Sequence, residues 1–110
     1  MAVVSFDIDG TMEFGHPPGP VTVAFVRALA DGGHVIGSAS DRTRDDQAAL
    51  WEHHGIAVAF VGGKHQLHEV RARFPAERHL HVGDTHVDEH YARLAGFEFV
   101  ALDDVADLEP

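Results

Sequence analysis

The chain contains no cysteine, and this absence excludes several kinds of site at once. Without thiols there can be no disulfide framework, no thiolate-bound metal and no cysteine nucleophile. Any nucleophile or metal ligand must therefore be an oxygen or nitrogen group.

Long apolar runs are also missing, since no stretch approaches the roughly 20 residues that a membrane-spanning helix needs. The first six residues carry no basic segment of the kind that opens a secretory signal peptide, and Asp7 follows them directly. We therefore expect no membrane association, and a cytoplasmic location is the default expectation.

Positive charge is scarce, with 8 Lys and Arg residues against 18 Asp and Glu residues and a formal net charge of −10. This balance argues against general nucleic-acid binding, which usually requires a basic face. An acidic protein that binds a phosphate needs local positive charge from a metal ion, a lysine or oriented backbone N–H groups. Lys64 is the only lysine, and its compact ammonium suits a phosphate oxygen beside a carboxylate.

The length of 110 residues and a hydrophobic fraction of 45% predict one globular domain over residues 1–110. Short apolar runs alternate with helical patterns, which is typical of repeated βαβ units. We predict a three-layer, Rossmann-like α/β sandwich, with helices on both faces of a five-stranded parallel sheet and no cap domain. The strands are predicted at residues 2–6, 34–39, 56–61, 79–82 and 97–102, and the acidic tail 103–110 is expected to be frayed.

Three of the predicted helices have apolar faces that can be read from residue spacing. In the first, the face comprises Val21, Ala24, Phe25, Ala28 and Leu29. In the third helix, the face comprises Leu67, Val70 and Phe74, and Pro75 ends it. In the last, the face comprises Val87, Tyr91, Leu94 and Ala95. Thr43 is predicted to cap the second helix, and Gly55 to end it in the left-handed conformation.

Polar residues follow the predicted strands. Asp7 and Asp9 end the first strand, Ser40 ends the second, Lys64 follows the third and Asp84 ends the fourth. Carboxyl ends of parallel strands share one edge of the sheet, where ligands bind in such folds. Ser38 is an alternative to Ser40, but Ser40 leaves a complete strand behind it.

A pair of carboxylates two residues apart at a strand end can supply both the nucleophile and the acid/base for phosphate-ester hydrolysis. Asp7 can attack as a nucleophile, and Asp9 can protonate the leaving oxygen and then activate water. Mg²⁺ prefers oxygen ligands, which Asp7, the Asp9 backbone carbonyl and Asp84 could supply.

The ordered set Asp7-Ile8-Asp9-Gly10-Thr11, Ser40, Lys64 and Gly83-Asp84 with Asp88 resembles the four motifs of the haloacid dehalogenase superfamily. The resemblance implies the nucleophile at Asp7, the acid/base at Asp9, phosphoryl contacts from Ser40 and Lys64, and Mg²⁺ at Asp7, Asp9, Asp84 and Asp88. It extends substrate binding to Gly10, Thr11, Ser40, Asp41, Arg42 and Lys64. The second aspartate favours a phosphatase over a dehalogenase.

The gaps between these motifs leave no room for a cap, so the chain resembles the minimal, capless members of the superfamily. The loop from Met12 to Pro18 would be its own flap. The expected partner is a phosphorylated substrate, either a small molecule or an accessible macromolecular phosphate. A site this open leaves a homo-oligomer as a further expectation.

Several alternatives remain. The chain could be a catalytically silent binding or regulatory module of the same fold. A phosphorylation-dependent receiver fits less well, because no lysine follows the fifth strand. Arg42 could contact substrate or pair with Asp41 or Asp45 on the surface. His86 and His90 could bind a metal, although exposure of both on the last helix is the simpler interpretation.

Overall fold

The computed structural model describes residues 1–108, and it contains the predicted parallel sheet. The five strands are β1 (Ala2–Phe6), β2 (Val35–Ala39), β3 (Phe60–Gly62), β4 (Arg78–Gly83) and β5 (Glu98–Ala101). They lie in the order β3-β2-β1-β4-β5, and every neighbouring pair is parallel. The fold class is confirmed, and within residues 1–108 no cap domain interrupts it.

Strand order determines where a ligand crevice can form. The chain runs outward from β1 to β2 and β3, and then returns to pair β4 with the other side of β1. At such a reversal, the connections leave the two central strands in opposite directions and open a crevice at their carboxyl ends. Here that crevice lies beyond Phe6 and Gly83.

Four α-helices connect the strands: α1 (Val23–Asp31), α2 (Arg44–His53), α3 (Leu67–Arg73) and α4 (His86–Leu94). Threonine hydroxyls cap α1, α2 and α4, since Thr22, Thr43 and Thr85 accept hydrogen bonds from backbone N–H groups of the first turn. Gly55 follows α2 with φ of 71°, which confirms the predicted left-handed stop.

The apolar residues form two buried clusters, as a three-layer sandwich requires. Val26 and Leu29 from α1 and Trp51 from α2 pack with β1 in the larger cluster. Leu67 from α3 and Ala92 from α4 belong to the smaller one. The helices therefore cover the sheet in two pairs, and the carboxyl edge of the sheet stays uncovered.

The buried face of α1 agrees with the predicted one only in part: Leu29 is buried and Phe25 packs against the larger cluster. Val26 and Leu29 are its buried residues, whereas Ala24 is exposed. The helix begins at Val23 rather than Val21, and Val21 instead bridges to Met12 in the preceding loop.

The third strand is shorter than predicted. Pairing with β2 begins only at Phe60, opposite Gly37, and ends at Gly62 opposite Ala39. Ile56 is buried, but it lies outside the strand. Ile56 and Val58 thus pack against the core outside the strand.

The face of α4 is also corrected. Val87 is 46% exposed and Leu94 is 70% exposed, whereas Asp88 and Ala92 are buried. Of the predicted face, Ala95 is buried and Tyr91 is half-buried, but the helix is rotated so that the Asp88 carboxylate also points inward. Asp88 is hydrogen-bonded there to a buried histidine, described below.

The carboxyl-terminal tail differs from the expected frayed segment. A 3₁₀ helix covers Leu102–Asp107, and its Val105 together with Leu108 packs against the larger apolar cluster. The remaining residues of that prediction, 109 and 110, lie outside the described part of the chain. Within residues 1–108, no helix has both the length and the apolar character needed to cross a membrane.

The loop from residue 10 to residue 20 is held in place by its own hydrogen bonds. The N–H groups of Gly15 and Gly19 both donate to the carbonyl of Met12. Phe14 stacks on His54 with 4.5 Å between ring centroids and meets Trp51 edge-on. The predicted flap is therefore anchored to the end of α2.

Candidate active site

Asp7 is the first residue after β1, and its backbone N–H donates to the carbonyl of Val82 on β4. This bond places the carboxylate at the crevice between the two central strands, where it is 5% exposed. Burial raises the pKa of Asp7, the nearby Asp88 charge raises it further, and Lys64 offsets part of the effect. The ionised form of Asp7 is thus stabilised by positive charge placed next to its carboxylate.

Three carboxylates meet at this point and form a candidate cation site. Oxygens of Asp7, Asp84 and Asp88 all lie within 4.8 Å of one another. Asp84 is exposed at the end of β4, while the other two carboxylates are buried. The all-oxygen donor set fits a hard divalent cation such as Mg²⁺, and such a cation would relieve the repulsion between the carboxylates.

Asp88 is the most completely bonded of the three. Its Oδ1 lies 2.8 Å from His81 Nε2, and its Oδ2 accepts from the Thr85 hydroxyl at 2.9 Å. Burial alone would raise the pKa of Asp88, but the His81 hydrogen bond, the Lys64 charge and the Thr85 hydrogen bond together lower it. Asp88 is therefore held as an anion, and its bonded oxygens suit it to positioning neighbouring groups.

Lys64 joins the two buried carboxylates. Its Nζ lies 3.2 Å from Asp88 Oδ1 and 3.7 Å from Asp7 Oδ1. Burial would lower the pKa of Lys64, but Asp7 and Asp88 outweigh burial and raise it. The lysine sits at the start of the 3₁₀ helix Lys64–Gln66, directly after β3, and it is charged beside the proposed nucleophile.

Asp9 faces away from this cluster toward Arg42. Arg42 Nε lies 3.1 Å from Asp9 Oδ2, and Arg42 Nη2 lies 2.9 Å from Asp9 Oδ1. The backbone N–H of His16 also donates to Asp9 Oδ1, at 2.7 Å. Hydrogen bonds from Arg42 are the main cause of a lowered pKa for Asp9, so in this arrangement Asp9 is an ion-paired carboxylate.

Arg42 forms a second ion pair on its other side, with Asp46 Oδ2 at 2.8 Å. The surface partners considered from sequence, Asp41 and Asp45, are therefore not its partners. Asp46 lies one turn along α2 from Arg42 and anchors the arginine at the carboxyl edge of the sheet.

The structure separates the roles of the two candidate serines. Ser38 is buried inside β2, where its hydroxyl donates to Gln47 Oε1 at 2.7 Å and accepts from Trp51 Nε1 at 2.9 Å. Ser40 lies after the end of β2, and its Oγ accepts from the backbone N–H of Arg42 at 3.1 Å. Only Ser40 lines the cleft that also contains Lys64.

Three other residues, Thr11, Gly10 and Asp41, were also predicted to contact the substrate. Thr11 is fully buried, and its hydroxyl has no hydrogen-bond partner among the described residues. Gly10 has φ of 79°, which suits glycine, and its N–H donates to the carbonyl of Pro17. Asp41 is exposed at the rim of the cleft. Gly10 and Asp41 therefore shape or border the site, whereas Thr11 has a buried hydroxyl that is not used within residues 1–108.

One member of the site was missed from sequence. His81 is fully buried in β4, with Nδ1 3.0 Å from Ser5 Oγ and Nε2 bound to Asp88. Ser5 and His81 occupy paired positions of β1 and β4. The sequence did contain a signal for this pair, because each of the two polar residues interrupts an apolar strand. Recognising that they are neighbours required knowledge of the strand order.

His86 and His90 are both exposed on α4. Within residues 1–108, the metal-compatible group consists of Asp7, Asp84 and Asp88 and includes neither histidine.

Comparison of the chain with protein-family models, with curated proteins and with solved structures gives no match.

Proposed function

We propose that this protein is a Mg²⁺-dependent phosphatase of the haloacid dehalogenase type, with Asp7 as its nucleophile. One observation above all supports the proposal. A buried carboxylate lies at the crevice between the two central strands, 3.7 Å from a lysine ammonium and within a three-carboxylate cluster. A nucleophile, a fixed cation and an oxygen-rich metal site in contact are what transfer of a phosphoryl group to a carboxylate needs.

In this mechanism, a carboxylate oxygen of Asp7 attacks the phosphorus of a phosphate monoester, and the bond from phosphorus to the ester oxygen breaks. Once Arg42 has released it, Asp9 takes up a proton from solvent and donates that proton to the departing oxygen. Asp9 then removes a proton from a water molecule, which attacks the phosphorus of the aspartyl-phosphate and releases inorganic phosphate. Asp7 is regenerated, and Asp9 holds the proton again.

The remaining residues bind and orient the phosphoryl group. Lys64 supplies positive charge beside Asp7, and the Ser40 hydroxyl is placed to donate to a phosphoryl oxygen. Mg²⁺, held by Asp7 and Asp84 with the Asp9 backbone carbonyl and Asp88 in support, would offset the repulsion between carboxylate and phosphate when bound. Asp88, held by His81 and Thr85, keeps Lys64 in place.

Arg42 must release Asp9 before Asp9 can act. Arg42 and the His16 N–H occupy both oxygens of Asp9, so the carboxylate cannot reach a leaving group while these bonds persist. A substrate oxyanion offers Arg42 an alternative partner of the same charge. Arg42 therefore exchanges Asp9 for the substrate as the substrate binds.

The same ion pair favours a second candidate function. A module that retains the fold but has lost turnover would keep Asp9 permanently bound to Arg42 and would bind phosphorylated ligands without cleaving them. The two functions differ in whether Asp9 becomes free once ligand is present.

Hydrolysis of para-nitrophenyl phosphate by the purified protein tests the proposal. We expect turnover with Mg²⁺, loss of turnover with a chelator, and loss in the Asp7→Asn variant, with circular dichroism showing that this variant is folded. Activity that persists undiminished in folded Asp7→Asn protein would overturn the assignment of the nucleophile. A folded protein that binds Mg²⁺ and phosphate but turns over no ester would favour the binding module.

A further inference from the structure

A cleft of about 360 Å³ lies between the loops that follow β2 and β3. Its lining includes Ser40, Arg42, Arg44, Lys64, His65 and Tyr91. It shares Ser40 and Lys64 with the candidate active site, so it opens directly beside Asp7. This volume lies within the range of small-molecule sites and exceeds what one phosphoryl group requires.

Positive charge is concentrated in this cleft, although the chain as a whole is strongly acidic. Three of the 8 Lys and Arg residues, Arg42, Arg44 and Lys64, line it. Among residues 1–108, Asp41 is the only carboxylate in the lining, and it is exposed. Because Lys64 and Arg42 are ion-paired with carboxylates outside this lining, the attraction for an anionic ligand would come mainly from Arg44.

The three cations differ in how they are paired. Lys64 contacts Asp7 and Asp88, and Arg42 contacts Asp9 and Asp46. Arg44 is exposed and forms no hydrogen bond, ion pair or ring contact with any residue of the described chain, 1–108. Its guanidinium is thus the cation of the cleft whose donors remain available to a ligand.

Helix stability does not explain an arginine at this position. Arg44 is the first residue of α2, where the positive end of the helix dipole disfavours a cation. The next two residues, Asp45 and Asp46, have the charge that this end of a helix prefers. Arg44 is therefore a cation that is unfavourable for its helix, has no ion pair among residues 1–108, and lines a cleft beside the active site, where a ligand could reach it.

We propose that this cleft binds a second anionic group of the substrate, with Arg44 as its principal contact. The proposal rests on the proposed function, and it narrows the substrates to phosphate monoesters whose leaving group bears a further phosphate or carboxylate. Ser40 and Lys64 hold the transferred phosphoryl group at the inner end of the cleft. The second anion lies past Arg42, at Arg44.

Binding of non-hydrolysable ligands tests this without requiring turnover. Calorimetry would compare propylphosphonate with propylene bisphosphonate, and pentylphosphonate with pentylene bisphosphonate, in the presence of Mg²⁺. For the wild type, at least one bisphosphonate should bind about fivefold to tenfold more tightly than its monophosphonate, beyond the statistical factor for two equivalent ends. The gain should shrink as salt is raised.

Three variants test whether Arg44 causes the tighter binding of the bisphosphonate. Arg44→Gln should abolish most of it, and Arg44→Lys should keep part of it, because charge is retained without the planar donor pair. Arg71→Gln is the matched control, since Arg71 is an exposed arginine on α3 with no ion pair among residues 1–108. It should keep the full gain.

Three results would overturn the inference: no bisphosphonate advantage, an advantage that survives in Arg44→Gln, or no binding of either ligand class. Each is distinguishable from failure of the proposed function, which is measured separately by hydrolysis of the aryl phosphate. If the protein hydrolyses the aryl phosphate but binds the bisphosphonates no more tightly, the proposed function stands and the proposed subsite is wrong.

Discussion

Ser38→Ala and Ser40→Ala should affect different properties of the protein. The first should lower its stability, and the second should lower its activity. Ser38→Ala removes a hydroxyl that bonds Gln47 Oε1 at 2.7 Å and Trp51 Nε1 at 2.9 Å, where both partner side chains are fully buried. Leaving a buried polar group unpaired costs about 1–3 kcal/mol, so two such groups should cost about 2–4 kcal/mol after some relaxation. Gln47 keeps its other bonds, to the carbonyls of Arg42 and Gly62.

For a domain of this size, that loss corresponds to a fall in Tm of about 10 °C or more. Thermal denaturation followed by circular dichroism measures it directly. At a temperature where the variant is still folded, Ser38→Ala should hydrolyse para-nitrophenyl phosphate at close to the wild-type rate, since Ser38 does not line the cleft.

Ser40→Ala should show the opposite pattern. Its Oγ accepts one backbone hydrogen bond, whose loss costs only about 0.5–1.5 kcal/mol of stability. Loss of its hydrogen bond to the phosphoryl group should lower kcat/KM by about tenfold to a hundredfold. A stable Ser38→Ala variant with impaired turnover, beside a Ser40→Ala variant with normal turnover, would refute the assignment of both serines.

Two further outcomes follow from the site. Asp9→Asn should turn over slowly and accumulate aspartyl-phosphate on Asp7, visible by mass spectrometry after acid quench; a normal steady-state rate would contradict the acid/base role. Burial and Asp88 raise the pKa of Asp7 above its unfolded value, so without metal its contribution to stability is lost as pH rises through the folded pKa. Asp7→Asn should therefore unfold at higher temperature than wild type in chelator at neutral pH, and Mg²⁺ should stabilise the wild type more; a less stable variant would contradict this.

The local parts of the fold could be predicted because their causes are local. Helix caps at Thr43, the left-handed stop at Gly55 and the buried first strand each depend on a few adjacent residues. The order of polar residues along the chain then placed Asp7, Lys64 and Asp84 at one edge, because parallel strands all end on the same side.

The orientation of α4 could not be predicted in this way. The spacing of Val87, Tyr91 and Leu94 gave an apolar face, yet Asp88 points inward and Leu94 is exposed. Asp88 pairs there with His81, on a strand whose neighbour was unknown, and with Lys64. Hydrophobic periodicity does not register a buried polar pair between distant elements.

The sequence by itself determined the βαβ order, the strand ends and the residue types available for chemistry, because these depend on local propensity and on chain order. Tertiary structure alone decided how the charged groups pair. It brought Arg42 to Asp9, joined Lys64 to Asp88, and left Arg44 without a partner among residues 1–108. Ion pairing depends on distances of a few ångströms between elements far apart in the chain, and only packing sets those distances.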